Sequence, residues 1–219
     1  MPKDAASQQQ GQRYLRSWDA LGKLLEEGKS WSGRERNMAY LNTADGHFSD
    51  VSSVSGFAFP TDSRALGFTD WDGDGDLDVW QANRSAPRVR FLQNQLGKND
   101  RFLKLRLTGK TSNRDAIGAR ITLTLADGKR LIKTLRAGEG YLSQSSKIVH
   151  FGLPKGATIS STKVRWPGSI EESFPNLKPG TIVHLTQGGS MEPAPTRSAS
   201  LSAQASLEPP APSSSIRLI

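Results

Sequence analysis

Between residues 102 and 187 apolar and polar side chains alternate with a period of two, and few folds accept that pattern. The runs FLKLRLTG, ARITLTLADGKRLIKTLR, KIVHFGL, STKVRWP and TIVHLTQ each place apolar groups on one face and polar groups on the other. Asp127-Gly128 separates two such runs where a tight hairpin turn belongs. Short strands at this spacing predict a mainly β chain, with an antiparallel β-sandwich or small barrel over 101–187.

Upstream, MAYLN, GHFSDVS, RALGFTD and LDVWQAN are also strand-like. Turn signals at Asp45-Gly46, Pro60-Thr61-Asp62 and Gly73-Asp74-Gly75 separate them. Before these, YLRSWDALGKLLEE carries Tyr14, Trp18, Leu21 and Leu25 at helical spacing, which predicts a short amphipathic helix ending near Gly28. Its apolar stripe is expected to pack on the protein. Residues 1–12 are polar and Gln-rich and are expected to be disordered. So is 188–219, a Pro-, Ser- and Ala-rich tail whose terminal IRLI is read as a frayed end.

The strongest chemical signal is Asp70-Trp71-Asp72-Gly73-Asp74-Gly75-Asp76-Leu77-Asp78. Two unit charges 4 Å apart cost about 4 kcal/mol at an effective dielectric of 20, and a bound cation removes that repulsion. Carboxylates at alternating positions suit a hard ion with flexible oxygen coordination, so the expected cofactor is Ca2+. In this register Asp70, Asp72 and Asp74 hold positions 1, 3 and 5, and Gly75 supplies the sharp turn. Asp76 contributes its backbone carbonyl and Asp78 closes the ring. The loop is not an EF-hand: Gln81 stands where the bidentate Glu is required, and the flanks read as strands. Magnesium demands stricter geometry and fewer carboxylates. The bland alternative is a solvated acidic turn without metal.

The loop and its flanks, LGFTDWDGDGDLDVWQANR, resemble the calcium-binding repeat of FG-GAP/VCBS propeller blades. Downstream, four motifs resemble the ASPIC/UnbV domain. They are Asn113-Arg114-Asp115-Ala116-Ile117-Gly118-Ala119, Gly138-x-Gly-Tyr-Leu-Ser-Gln144, His150-Phe151-Gly152-Leu153 and Val164-x-Trp166-Pro167. Trp31 to Asn37 also resembles the segment that precedes this domain in bacterial members. The turn after Trp166-Pro167 reads Gly168-Ser169 where the family usually has Ser-Gly. The resemblance implies architecture of the cartilage-acidic-protein type, in which a calcium-binding propeller precedes a β-domain. It also implies an extracellular or periplasmic location. About one blade-like unit is present, whereas a closed propeller needs at least four. The expected organisation is thus a helix and lead-in over 13–37, a partial blade with the calcium loop over 38–98, and the ASPIC/UnbV β-domain over 101–187.

The N-terminal residues lack the apolar region of a secretory signal, which leaves a fragment of a longer protein or a cytoplasmic chain as alternatives. No stretch approaches the roughly 18 apolar residues of a membrane span. With no cysteine there is no disulfide, thiolate metal site or cysteine nucleophile.

The formal net charge is +8, but 62–78 holds six Asp and one Arg, while 101–187 holds 15 Lys and Arg against five Asp and Glu. The basic residues alternate along strands and match no nucleic-acid-binding signature, so nucleic acid is not the expected partner. Polyanion binding is a weaker alternative. Arg114, Glu139 and Tyr141 are candidates for a ligand pocket in a carbohydrate-binding module or enzyme. Structural readings compete: an Asx-type turn pairing Arg114 with Asp115, and a glycine-dependent turn at 138–140. Trp71, Trp80 and Trp166 could form a stacking platform for sugar, or simply pack. The three histidines lack metal-ligand spacing, and the serines at 143, 145 and 146 lack a nucleophile elbow. The expected function is a non-catalytic calcium-binding module for adhesion or for binding a protein or glycan partner.

Overall fold

The computed structural model describes residues 5–29, 35–95, 101–168 and 170–194. In chain order the elements are α1 (Ala5–Glu26), β1 (Tyr40–Asn42), β2 (Phe48–Asp50), β3 (Ser63–Thr69), β4 (Asp78–Asn83), β5 (Val89–Leu92), β6 (Phe102–Thr108), β7 (Arg120–Leu125), β8 (Arg130–Thr134), β9 (Val149–Gly152), β10 (Ile159–Arg165), β11 (Glu171–Phe174), β12 (Thr181–Thr186) and β13 (Ser190–Pro193).

The downstream strands form two four-stranded sheets, β11-β10-β7-β8 and β13-β12-β6-β9, and neither closes into a barrel. Alternation explains how they meet. Leu103, Leu105 and Leu107 of β6, Ile121, Leu123 and Leu125 of β7, Phe151 of β9, Val164 of β10 and Leu185 of β12 are buried in one apolar cluster. Residues two apart share a face, so both sheets turn an apolar face into the same core. The fold is therefore a sandwich. Burying each such side chain contributes roughly 1.5–3 kcal/mol.

The Asp127-Gly128 turn joins β7 to β8, with Gly128 at φ 84° and Leu125 N–H donating to the Lys129 carbonyl (2.9 Å). One pairing departs from the antiparallel expectation: β12 lies parallel to β6, with Thr181 opposite Leu103. A parallel neighbour needs a long crossover, and no local sequence signal marks it.

At the N-terminus the helix begins at Ala5, not at Tyr14. Residues 5–12 are helical where disorder was expected, because Ala and Gln are strong helix formers and no proline interrupts the run. The helix ends as expected. Gly28 takes φ 77°, and its N–H and that of Lys29 donate to the Leu25 and Leu24 carbonyls. The stripe, however, is only partly covered: Leu21 and Leu25 are half-buried, while Tyr14 is 62% and Trp18 49% exposed. At the other end, 188–219 is not disordered from its start. Ser190–Pro193 pairs antiparallel with β12, because Gly188 and Gly189 both adopt positive φ and turn the chain back. Residues 195–219, including the terminal IRLI, and the lead-in residues 30–34 lie outside the described residues.

Upstream, β1 pairs antiparallel with β2, and β3, β4 and β5 form a three-stranded sheet in that order. The chain divides into two compact units. One is Met1–Arg64 with Ala82–Val89, and the other is Ala65–Gln81 with Arg90–Ile219. The segment carrying the aspartate loop groups with the sandwich.

In the first unit, the buried Asp62 pairs with Arg64 (2.6 Å), and Ser63 donates its hydroxyl to the Asn83 side chain (3.0 Å). Ser52 joins Ala39 N–H to Asp50. Tyr40, Leu41 and Phe48 of its short hairpin stay exposed.

Candidate metal centre

The aspartate loop connects β3 to β4, and its two glycines make its path possible. Gly73 lies at φ 77° and Gly75 at φ 103°, a region L side chains rarely enter. With those two kinks the loop folds over its own carboxylates. Asp70 accepts the N–H of Gly73 on Oδ1 (2.7 Å) and that of Gly75 on Oδ2 (3.1 Å). Asp78 accepts Trp71 N–H on Oδ2 (2.8 Å). Asp72 and Asp74 accept the N–H groups of Asp74 (3.3 Å) and Asp76 (2.9 Å).

This geometry brings Asp70, Asp72 and Asp78 together, with one oxygen of each within 4.8 Å of the others. A calcium–oxygen bond is about 2.4 Å, so a single ion can touch atoms up to about 4.8 Å apart. The donor set is all oxygen, as a hard cation requires. Asp74 and Asp76 stand outside this trio. Asp74 is half-buried and Asp76 buried.

Electrostatics show the strain that a cation would relieve. Burial holds the Asp74 carboxyl above its ordinary 3.8, and repulsion from Asp72, Asp76 and Asp78 adds to it. The Asp78 carboxyl is raised in the same way, burial first and then Asp72 and Asp76, against the Trp71 and Asn94 amides that favour its charge.

Residues far away in sequence complete the site, and each of the three carboxylates has one such partner. Asp70 Oδ2 is in contact with the Lys104 ammonium from β6. Asp72 Oδ2 accepts a hydrogen bond from Gln93 Nε2 (2.9 Å), and Asp78 Oδ1 one from Asn94 N–H (2.8 Å). His150 of β9, opposite Lys104 in the sheet, donates Nε2–H to the Gly75 carbonyl (2.9 Å). Phe102 stacks on His150 with centroids 6.1 Å apart, and Lys104 Nζ lies 4.6 Å from the Phe102 ring.

This explains why β6 is buried on both faces from Phe102 to Leu105. Its inner leucines enter the core, and its outer Lys104 meets the loop. The Lys104 side chain is 5% and that of Asp70 8% exposed. Burial pushes the Lys104 ammonium down to about 8, while contact with the Asp70 carboxylate acts in the opposite sense. Burial also lowers the His150 imidazole below 6.5, aided by the neighbouring Lys104 and Lys133 charges. None of these four partners was legible in the sequence. Lys104 and His150 sit in strands whose period-two pattern gives no sign that the polar face is covered.

The other candidates separate. Glu139 lines a cleft of about 200 Å³ with Phe68, Leu77, Lys133 and His150. Arg114 and Tyr141 do not line it, and both are exposed. At 113–115 the Asn113 side chain ties the turn together: it accepts from Ile117 N–H (2.8 Å) and donates to its carbonyl (2.9 Å). Asp115 pairs with Lys147 (2.6 Å) and not with Arg114, and that partner holds its carboxyl below the usual range. Gly138 and Gly140 form a tight turn closed by Ser143, with Gly140 at φ 70°. Trp166 is buried in the sandwich core. Trp71 and Trp80 instead meet edge-on (5.3 Å) beside the aspartate loop and pack with Phe91, leaving Trp71 54% exposed. His184 shares a hydrogen bond with Thr108 Oγ1 (2.8 Å).

Comparison with known proteins places these regions. The family model described as ASPIC and UnbV matches residues 109–192, and that described as FG-GAP-like repeat matches 30–80. Cartilage acidic protein 1 of Homo sapiens is 33% identical over 117 residues, 51% of this chain. Its counterpart in Xenopus tropicalis is 33% identical over 116 residues, again 51% of the chain. The matched region spans 17% and 18% of the length of these two relatives. No helix among the described residues is long and apolar enough to cross a membrane.

Proposed function

For a chain that carries an ASPIC and UnbV region and an FG-GAP-like repeat, we propose a non-catalytic, calcium-binding extracytoplasmic module that serves protein interaction or adhesion. The observation that carries the calcium reading is the approach of Asp70, Asp72 and Asp78 to within 4.8 Å on a loop kinked by two glycines. These three would hold the ion, with further oxygen from the loop or from water. Calcium would supply charge neutralisation and cross-linking of the loop, not chemistry on a substrate.

The extracellular reading rests on the likeness to cartilage acidic protein 1. An interaction role is supported by the apolar side chains left in solvent on the first unit's hairpin, Tyr40, Leu41 and Phe48. The test is metal analysis of the purified chain together with thermal melts in EGTA and in calcium chloride. The melting temperature is expected to rise with calcium, and Asp72→Ala is expected to abolish the rise. A calcium-insensitive melt and a metal-free protein would overturn the reading.

A further inference from the structure

The Lys104 ammonium touches the same carboxylate that would begin a metal site, and its place there is built in. It projects from a strand whose inner face is locked into the sandwich core, so it cannot move far from the loop. Among the described residues, Asp70, Asp72 and Asp78 meet Lys104, Gln93 and the Asn94 amide from outside the loop, and of these Lys104 carries charge.

Counting lone pairs sharpens this. Asp70 Oδ2 accepts from Gly75 N–H and is also paired with the Lys104 ammonium, so that oxygen is engaged twice. Oδ1 accepts only from Gly73 N–H. With Lys104 in place, Oδ1 is the less engaged Asp70 oxygen toward a metal.

We infer that Lys104 is an intrinsic counter-cation of the aspartate loop, holding it folded without metal and weakening its hold on a divalent ion. The inference rests on the calcium reading above and deepens it. The mechanism is direct. An ammonium beside the site repels a divalent ion and subtracts one unit from the ligand charge that sets affinity. In the metal-free protein the same ammonium offsets the repulsion among the carboxylates. Lys104 thereby makes the loop less dependent on calcium for its shape and less avid for it.

Calcium chloride titration of the full chain by calorimetry, with melts in EGTA, tests this on Lys104→Met, Lys104→Gln and Lys104→Arg. The two neutral variants are expected to bind calcium about tenfold tighter, equivalent to about 1.4 kcal/mol. They are also expected to melt below the parent in EGTA and to recover in calcium. Lys104→Arg keeps the charge and is expected to keep the parent affinity. If Lys104→Met folds only with calcium, that dependence supports the inference, and Lys104→Gln, which retains a hydrogen-bond donor for Asp70, supplies the affinity. Neutral variants that bind no tighter than a calcium-binding parent would overturn the role of Lys104 and leave the calcium reading standing. Failure of both the parent and Lys104→Gln to take up calcium would overturn both.

Discussion

The sandwich and the aspartate loop belong to one compact unit, yet they are held by opposite physics. The sandwich encloses a cluster of leucines, isoleucines and aromatic rings drawn from both sheets. Its stability comes from apolar burial, which needs no bound ion and changes little with pH. The loop buries carboxylates. Its shape depends on amide donors, one ammonium and, in our reading, a divalent cation. A domain that supplies its own core can carry a charged loop that could not fold alone. The loop in turn covers the outer face of β6. Cavities should therefore act on the sandwich, and charge, protons and metal on the loop.

The largest effect belongs to the core. Trp166 is fully buried among the sandwich residues, and its backbone N–H donates to the Ile170 carbonyl (2.8 Å). Trp166→Ala removes the ring and leaves a cavity, and should cost about 3–5 kcal/mol in urea denaturation. Because the loss is apolar, it should be the same in EGTA and in calcium. Trp166→Phe should cost less than Trp166→Ala, because the indole Nε1–H has no hydrogen-bond partner to lose. A Trp166→Ala cost that depended on calcium would mean that core and loop are one coupled system.

Next comes the metal itself. A ligand at about 100 times its dissociation constant stabilises the folded state by about 2.7 kcal/mol. The parent should gain about that much in saturating calcium, read as a rise in the urea midpoint, and Asp78→Asn should gain almost none. Asp78 is the informative ligand because it is 1% exposed and its two oxygens are oriented by Trp71 and Asn94. Asparagine keeps its shape and removes its charge. A full calcium response in Asp78→Asn would move the site away from the trio.

Legibility in the sequence divides along the same line. The sandwich was readable because alternation is a local pattern. The β6 leucines and the Asp127-Gly128 turn declare a strand and a hairpin within a few residues. The aspartate loop was readable for the same reason, since its five carboxylates and two glycines are contiguous. What joins them was not. The partners Lys104 and His150 come from strands β6 and β9, and Gln93 and Asn94 follow β5. Nothing local distinguishes a lysine under a loop from one in water. The parallel β6–β12 pair was hidden for the same reason. The start of α1 and strand β13 lie in polar, low-complexity stretches whose composition alone predicts disorder. Glutamine supports a helix, and a short strand such as Ser190–Pro193 needs only a turn and a partner edge.

Acidification gives a smaller and graded effect with opposite signs for the two states of the loop. The Asp74 and Asp78 carboxyls are raised above 3.8 in the folded protein. A raised carboxyl binds its proton more tightly folded than unfolded. Its contribution to stability is therefore present below the unfolded pKa and lost as pH rises through the folded pKa. In EGTA, the loop should be relieved as pH falls through that window. In calcium the proton competes with the ion, so affinity should fall as the pH drops, beginning above the ordinary carboxyl value of 3.8. Calcium titrations between pH 7 and pH 4 would check this. An affinity that stays flat until pH 4 would remove Asp78 from the ligand set.

The smallest effect is expected where charge sits on the sandwich surface. Lys163 of β10 reaches Glu171 of β11 at 2.9 Å, and both side chains are about half exposed. Water solvates each partner nearly as well apart as together, and salt screens what remains. Lys163→Ala should change stability by about 0–0.5 kcal/mol, with the residual effect gone in molar salt. The contrast with Lys104 is the point of the measurement. Both lysines contact one carboxylate from a strand of the same domain. One lies in water and the other under the loop. If Lys163→Ala and Lys104→Gln destabilise the calcium-free protein equally, burial is not what gives Lys104 its weight, and the division between a neutral core and a charge-held loop fails.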